Sequence, residues 1–145
     1  LFLGLTFNWG IVMAWVAINN SISIDIFILY AAAIFWTLGY DTIYGVQDMA
    51  DDEIIGIKST SIKFKKNIKT FVGIAYLMTC LILIYLFKNK LGINLTTFLI
   101  TMFFISLVYQ LNIFDKHNPK NCLKAFKFNN ISGLLLFLGI QSISI

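Results

Sequence analysis

The chain has 145 residues, of which 59% are apolar and only 12% charged, with a mean hydropathy of +0.82 and a formal net charge of +4. Soluble domains average roughly 25% charged residues, so the composition excludes an ordinary soluble domain and fits an integral membrane protein. All eleven basic residues are Lys and they sit beside apolar runs, which carries no nucleic-acid footprint.

Five apolar segments follow in chain order. In a bilayer every backbone polar group must be satisfied within the segment, and an open chain achieves this only as helix. The expected fold is therefore all-α: one domain, a multi-pass transmembrane bundle of about five helices. The first segment, residues 1–18, begins LFLGLTF without Met, basic n-region or small-residue cleavage site. The expectation is a piece of a longer chain, already inside a bundle, with no signal peptide. Asn8 and Trp9 interrupt this segment, and NNSIS (19–23) reads as a tight hairpin. The second segment, 24–52, ends in a dense group of acids. The connection EIIGIKSTSIKFKKNIK (53–69) is long and basic. The third segment is 68–87, then KNKLG (88–92), then the fourth segment, 93–111. NIFDKHNPKNCLKAFKFNN (112–130) reads as a second long basic connection, holding the only Pro, Pro119. The fifth segment, 131–145, is short against the ~20 residues a span needs. Cys80 and Cys122 show no pairing or metal-ligand spacing and read as free thiols. His117 has no partner in the sequence and reads as solvated.

If all segments span, connections two and four share one side. They hold five and four Lys, nine in all, against two on the other side. The positive-inside rule then places the 53–69 and 112–130 connections in the cytoplasm.

The stretch YDTIYGVQDMADDEIIGIKST (40–60) holds Asp41, Asp48, Asp51, Asp52 and Glu53, five of the seven acids in the chain. On a continuous helix each residue turns about 100°. Asp41, Asp48 and Asp52 then share an arc of about 40°, with Tyr44 and Asp51 at its edge and Glu53 facing away. Asp48 and Asp52 are i,i+4 neighbours. Ionised groups in or near lipid cost several kcal/mol each, and a divalent cation offsets stacked carboxylates. Oxygen-only ligands suit Mg²⁺, which keeps waters and bridges to phosphates. The alternative, a merely solvated helix end, accounts for Asp52 but poorly for Asp41, which lies about three turns deep. A polar residue inside a span, such as Asn8 or Asn129, faces the bundle interior; it either meets a substrate or bonds a neighbouring helix.

This stretch resembles the second aspartate-rich motif of the UbiA-type intramembrane prenyltransferases, in the 4-hydroxybenzoate polyprenyltransferase branch. That pattern is D-x-x-Y-x-x-x-D-x-x-x-D followed by G-I-K-S. Asp41, Tyr44, Asp48 and Asp52 occupy its positions, with Gly56, Ile57, Lys58 and Ser59 behind them; Gly45 stands where many members have Ala. GLTFNWGIVMAW (4–15) and AFKFNNISGLLLFLGI (125–140) are similar too, so the resemblance covers essentially the whole chain. It implies the C-terminal five helices of a nine-helix fold, since the family's first aspartate motif is absent. It implies transfer of a polyprenyl group from its diphosphate to 4-hydroxybenzoate in ubiquinone biosynthesis, with Mg²⁺ on Asp48 and Asp52 and Asp41 as a third carboxylate. Tyr44 would face an allylic cation, and Lys58, Asn8 and Asn129 would contact substrate. The partners implied are the two substrates, the bilayer and a missing N-terminal half. A cation-coupled transporter or a non-catalytic membrane scaffold are the competing classes. The acids cluster at one end of a segment and no repeat is found, whereas transporter sites lie near the midplane between repeats.

Overall fold

The first expected span is split. Asn8 separates α1 (Phe2–Phe7) from α2 (Trp9–Asn19) in a computed structural model that describes residues 2–143. The Asn8 side-chain amide donates to the Gly4 carbonyl at 2.8 Å, competing with its own backbone N–H, which reaches that oxygen only at 3.4 Å. A side chain that takes an i−4 carbonyl loosens the turn it sits in. Residues 1, 144 and 145, which belong to the first and fifth expected segments, lie outside the described residues.

After a short turn, α3 (Ile24–Tyr44) runs for 21 residues, about 31 Å at 1.5 Å per residue and enough to cross a hydrocarbon core of about 30 Å. Two short helices follow, α4 (Met49–Ile55) and α5 (Thr60–Lys63). Then come three long ones: α6 (Ile68–Phe87), α7 (Leu95–Ile113) and α8 (Pro119–Gln141). Four helices, α3, α6, α7 and α8, are long and apolar enough to span a membrane; residues 3–19 form a shorter apolar stretch.

The α6 bounds match the expected segment, and α7 is shifted by two residues at each end. The fourth connection is corrected most. Residues 119–130 are helix, not loop, so α8 begins twelve residues before the expected fifth segment. Asn118 caps it by accepting from the N–H groups of Lys120 and Asn121, and Pro119 opens the first turn, where its missing N–H costs nothing. Lys120, Lys124 and Lys127 are exposed at i, i+4, i+7, while Cys122 and Ala125 are buried. An amphipathic first half was concealed by its charge.

The long helices close into a ring in which α3 packs on α6, α6 on α7, α7 on α8 and α8 on α3; α1 and α2 lie against α3 outside it. Val72, Phe103, Leu107 and Ile43 fill the centre. Polar side chains tie the ring together inside this apolar core. Tyr76 Oη donates to Gln110 Oε1, and Gln110 Nε2 donates to Ser132 Oγ, each at 2.7 Å. Ser106 Oγ donates to the same Ser132 oxygen at 2.7 Å. Tyr76 is 2% exposed and Gln110 0%. Gly39 makes room for this arrangement: a Cβ there would collide with the Tyr76 ring.

Candidate active site

The expected second segment does not continue to residue 52. The helix stops at Tyr44 and resumes at Met49. In an uninterrupted helix Val46 N–H would bond the Thr42 carbonyl. Instead the buried Ser61 hydroxyl, on α5, donates to Thr42 O at 3.1 Å, and Val46 N–H turns to Ile43 O at 3.4 Å. Gly45 permits this approach, since its Cβ would lie 2.6 Å from Ser61 Oγ. A residue nineteen positions downstream thus breaks the helix.

The break corrects the three-carboxylate stripe. The shared arc required one axis from Asp41 to Asp52, and α3 and α4 are separate helices. Asp41 lies in the last turn of α3, half-buried. Asp48 opens α4, and Asp52 stands one turn on, its N–H bonded to Asp48 O at 2.8 Å. So Asp48 and Asp52 remain i,i+4 neighbours, the first exposed and the second half-buried. Among the described residues no three carboxylate, imidazole or thiol groups converge as a metal cluster. Asp51 and Asp52 lie in the first turn of α4, where the helix dipole favours negative charge. Glu53 does point away: it pairs with Lys65 at 2.7 Å, the single ion pair among the described residues. Asp41, Asp48, Asp51 and Asp52 therefore have no salt-bridge cation there.

Around Asp41 and Tyr44, α3 presents two polar and aromatic rows. Toward α1, Thr37 lies one turn before Asp41 and accepts from Asn8 Nδ2 at 2.8 Å; Asn8 also reaches the Ala33 carbonyl. Toward α8, Trp36, Tyr40 and Tyr44 repeat at i, i+4, i+8. The Tyr44 ring, 42% exposed, lies 4.8 Å from the Phe126 ring, and Tyr40 lies 6.2 Å from it. Asn129 Oδ1 accepts from Trp36 Nε1 at 3.0 Å. Asn8 of the α1–α2 break and Asn129 of α8 thus bond adjacent residues of α3, Thr37 and Trp36. Those bonds are helix–helix contacts that also flank the face carrying Asp41 and Tyr44.

Lys58 is placed apart. Gly56, with φ of 81°, adopts the left-handed conformation that glycine tolerates best and ends α4. Lys58 then lines a cleft of about 460 Å³ with Leu38, Lys63, Phe64 and Phe71. None of the motif's acids lines that cleft.

Three residues were missed from the sequence. Trp36 and Tyr40 had a signal in their spacing from Tyr44. Gln47, between the two arms of the acid motif, has its amide nitrogen buried without a hydrogen-bond partner; such a group costs about 1–3 kcal/mol. Asp48 and Asp52 supply only oxygen donors, one turn apart and partly open, the donor chemistry that Mg²⁺ takes with waters and phosphate oxygens.

The profile of the UbiA prenyltransferase family matches residues 1–131. A 4-hydroxybenzoate octaprenyltransferase of Edwardsiella ictaluri (strain 93-146) is 36% identical over 138 residues, covering 95% of this chain and 48% of that protein. A mitochondrial 4-hydroxybenzoate polyprenyltransferase of Homo sapiens is 37% identical over 153 residues, covering 97% of this chain and 38% of that protein. The chain spans about half the length, or less, of the curated relatives it matches. No solved structure matches it.

Proposed function

The chain belongs to the UbiA prenyltransferase family, and from that premise we propose that it is the C-terminal part of a 4-hydroxybenzoate polyprenyltransferase, one transmembrane domain of a nine-helix fold. The observation that carries the reading is the Asp48–Asp52 pair: adjacent carboxylates without a salt-bridge partner among the described residues, beyond the end of an apolar span. Polyprenyl diphosphate has matching chemistry, a polyanion on an apolar tail, and a bilayer lets tail and head partition separately.

Asp48 and Asp52 are the residues that hold Mg²⁺, with Asp41 as a further carboxylate on the other side of the helix break. Mg²⁺ bound there supplies Lewis-acid neutralisation of the leaving diphosphate. Gln47 offers its unpartnered amide N–H to a diphosphate oxygen. Lys58, in the neighbouring basic cleft, adds positive charge at the same end of the bundle. Loss of the diphosphate leaves an allylic cation. Tyr44 and Tyr40, packed at a tilt against Phe126, present π-faces to it, and such contacts are worth about 2 kcal/mol when desolvated. Asn8 and Asn129 fix the two sides of this face and bound the space for 4-hydroxybenzoate. The ring carbon ortho to the phenol forms the new C–C bond and the ring then loses its proton.

One acid cluster addresses one side of a metal–diphosphate group, and bringing the partners together is worth roughly 7–11 kcal/mol of barrier. We therefore expect no turnover from these residues alone. The chain is expressed in membranes alone and with a separately made N-terminal half. Prenylated 4-hydroxybenzoate only from the pair supports the reading. Product from the lone chain contradicts the two-part site, and a folded pair that prenylates nothing contradicts the substrate assignment. The membrane is a bacterial inner membrane, with the 53–69 and 112–130 segments cytoplasmic. A cysteine at Asn67, with Cys80 and Cys122 removed, should react with an impermeant thiol reagent only after cells are opened. Labelling of intact spheroplasts reverses the topology.

A further inference from the structure

A second basic cleft, away from the acid motif, lies where the start of α6 meets the end of α7. It measures about 400 Å³. Lys66, Lys69 and Thr70 line it from one side, and Asn112, Lys116 and His117 from the other. The second and fourth connections therefore meet at one end of the bundle, at the boundary between the spans and water.

Three observations define what the cleft would take. The first is unbalanced charge. Lys66, Lys69 and Lys116 have no ion pair among the described residues. The lining holds one acid, Asp115, against these three lysines, so the cup is net positive. The second is the helix end itself. Asn67 precedes α6 without a side-chain cap bond, so first-turn N–H groups add donors beside the lysines. The third is what descends from the cleft. On α6, Ile74, Leu77 and Leu81 continue the row of Thr70, each more than half exposed. On α7, Val108 and Ile105 continue the row of Asn112 in the same way. A cationic cup thus tops two apolar rails on neighbouring helices.

We propose that this cleft is a binding site for the phosphate headgroup of an anionic glycerophospholipid, whose acyl chains lie along the exposed rows of α6 and α7. A soluble phosphate would use the cup and ignore the rails. Basic pockets between transmembrane helices on the cytoplasmic side take such headgroups, with each Lys near the surface adding to the attraction.

The test is native mass spectrometry of the full chain released from membranes, titrated with phosphatidylglycerol and, separately, phosphatidylcholine. Phosphatidylglycerol should be retained selectively. The triple variant Lys66→Gln, Lys69→Gln, Lys116→Gln should lower that preference on the order of a hundredfold. The control triple Lys120→Gln, Lys124→Gln, Lys127→Gln removes the same charge from the same end of the bundle and should stay close to wild type. Circular dichroism should show equal helicity in all three proteins. Equal loss in the control triple would reduce the effect to diffuse surface charge and overturn the site. So would equal retention of phosphatidylcholine, or displacement of phosphatidylglycerol by excess inorganic phosphate.

Discussion

At the middle of the bundle, Tyr76, Gln110, Ser132 and Ser106 satisfy one another through bonds of 2.7 Å. At the end of α3, the carboxylates of Asp41, Asp48 and Asp52 have no salt bridge among the described residues, and the Gln47 amide nitrogen is buried without a partner. Both regions put polar atoms into an apolar chain. In the first, protein answers protein, and the return is a fixed packing of α6, α7 and α8. In the second, the polar groups gather at a broken helix without protein partners, and a charged ligand is what would answer them. Polar residues in a membrane bundle divide by whether their partners are internal, and mutation should divide them the same way.

The largest expected effect is at the acid end. In the completed enzyme, Asp48→Asn or Asp52→Asn should lower turnover by several orders of magnitude, with melting temperature and helicity unchanged. Near-normal turnover in either variant removes that residue from the site and breaks the contrast. The mirror-image change is Gln110→Leu. It leaves the buried Tyr76 hydroxyl without its bond and removes one of the bonds to Ser132, which keeps Ser106; it should cost about 1–3 kcal/mol of stability, read as a lower melting temperature, while turnover per folded molecule stays near wild type. Gly39→Ala should cost about 1–3 kcal/mol as well, by overpacking against the Tyr76 ring, and it tests whether the network depends on that close approach. Gly45→Ala is the mildest. The added methyl displaces Ser61 from the Thr42 carbonyl, at about 1 kcal/mol. Many family members carry Ala at this position, so turnover should stay near wild type and the effect should read as a small fall in melting temperature.

Much of this division was legible in the sequence, and what was not has physical causes. Hydropathy located α6 residue for residue because its two ends are marked by Asn67 and Lys88. It failed on α8, where exposed Lys on one face of a helix looked like a loop. The i,i+4 relation of Asp48 and Asp52 survived, since it is local. Placing Asp41 on the same stripe did not, because the break depends on Ser61, which the chain brings back from α5. Tertiary contact overrode local periodicity at the position of the candidate site. The buried network was readable in part: Gln110, Ser106 and Ser132 are polar residues in apolar runs, and polar residues in spans face the interior. Their mutual pairing needed the ring order of the helices.

The account turns on whether Asp48 and Asp52 hold a metal–diphosphate group. Electron paramagnetic resonance of Mn²⁺, standing in for Mg²⁺, can count bound ions in the two co-expressed halves with a polyprenyl diphosphate present. Wild type and Gln110→Leu should bind Mn²⁺ alike, and the double variant Asp48→Asn, Asp52→Asn should lose that signal. A double variant that binds as many ions as wild type, at the same affinity, would contradict the assignment.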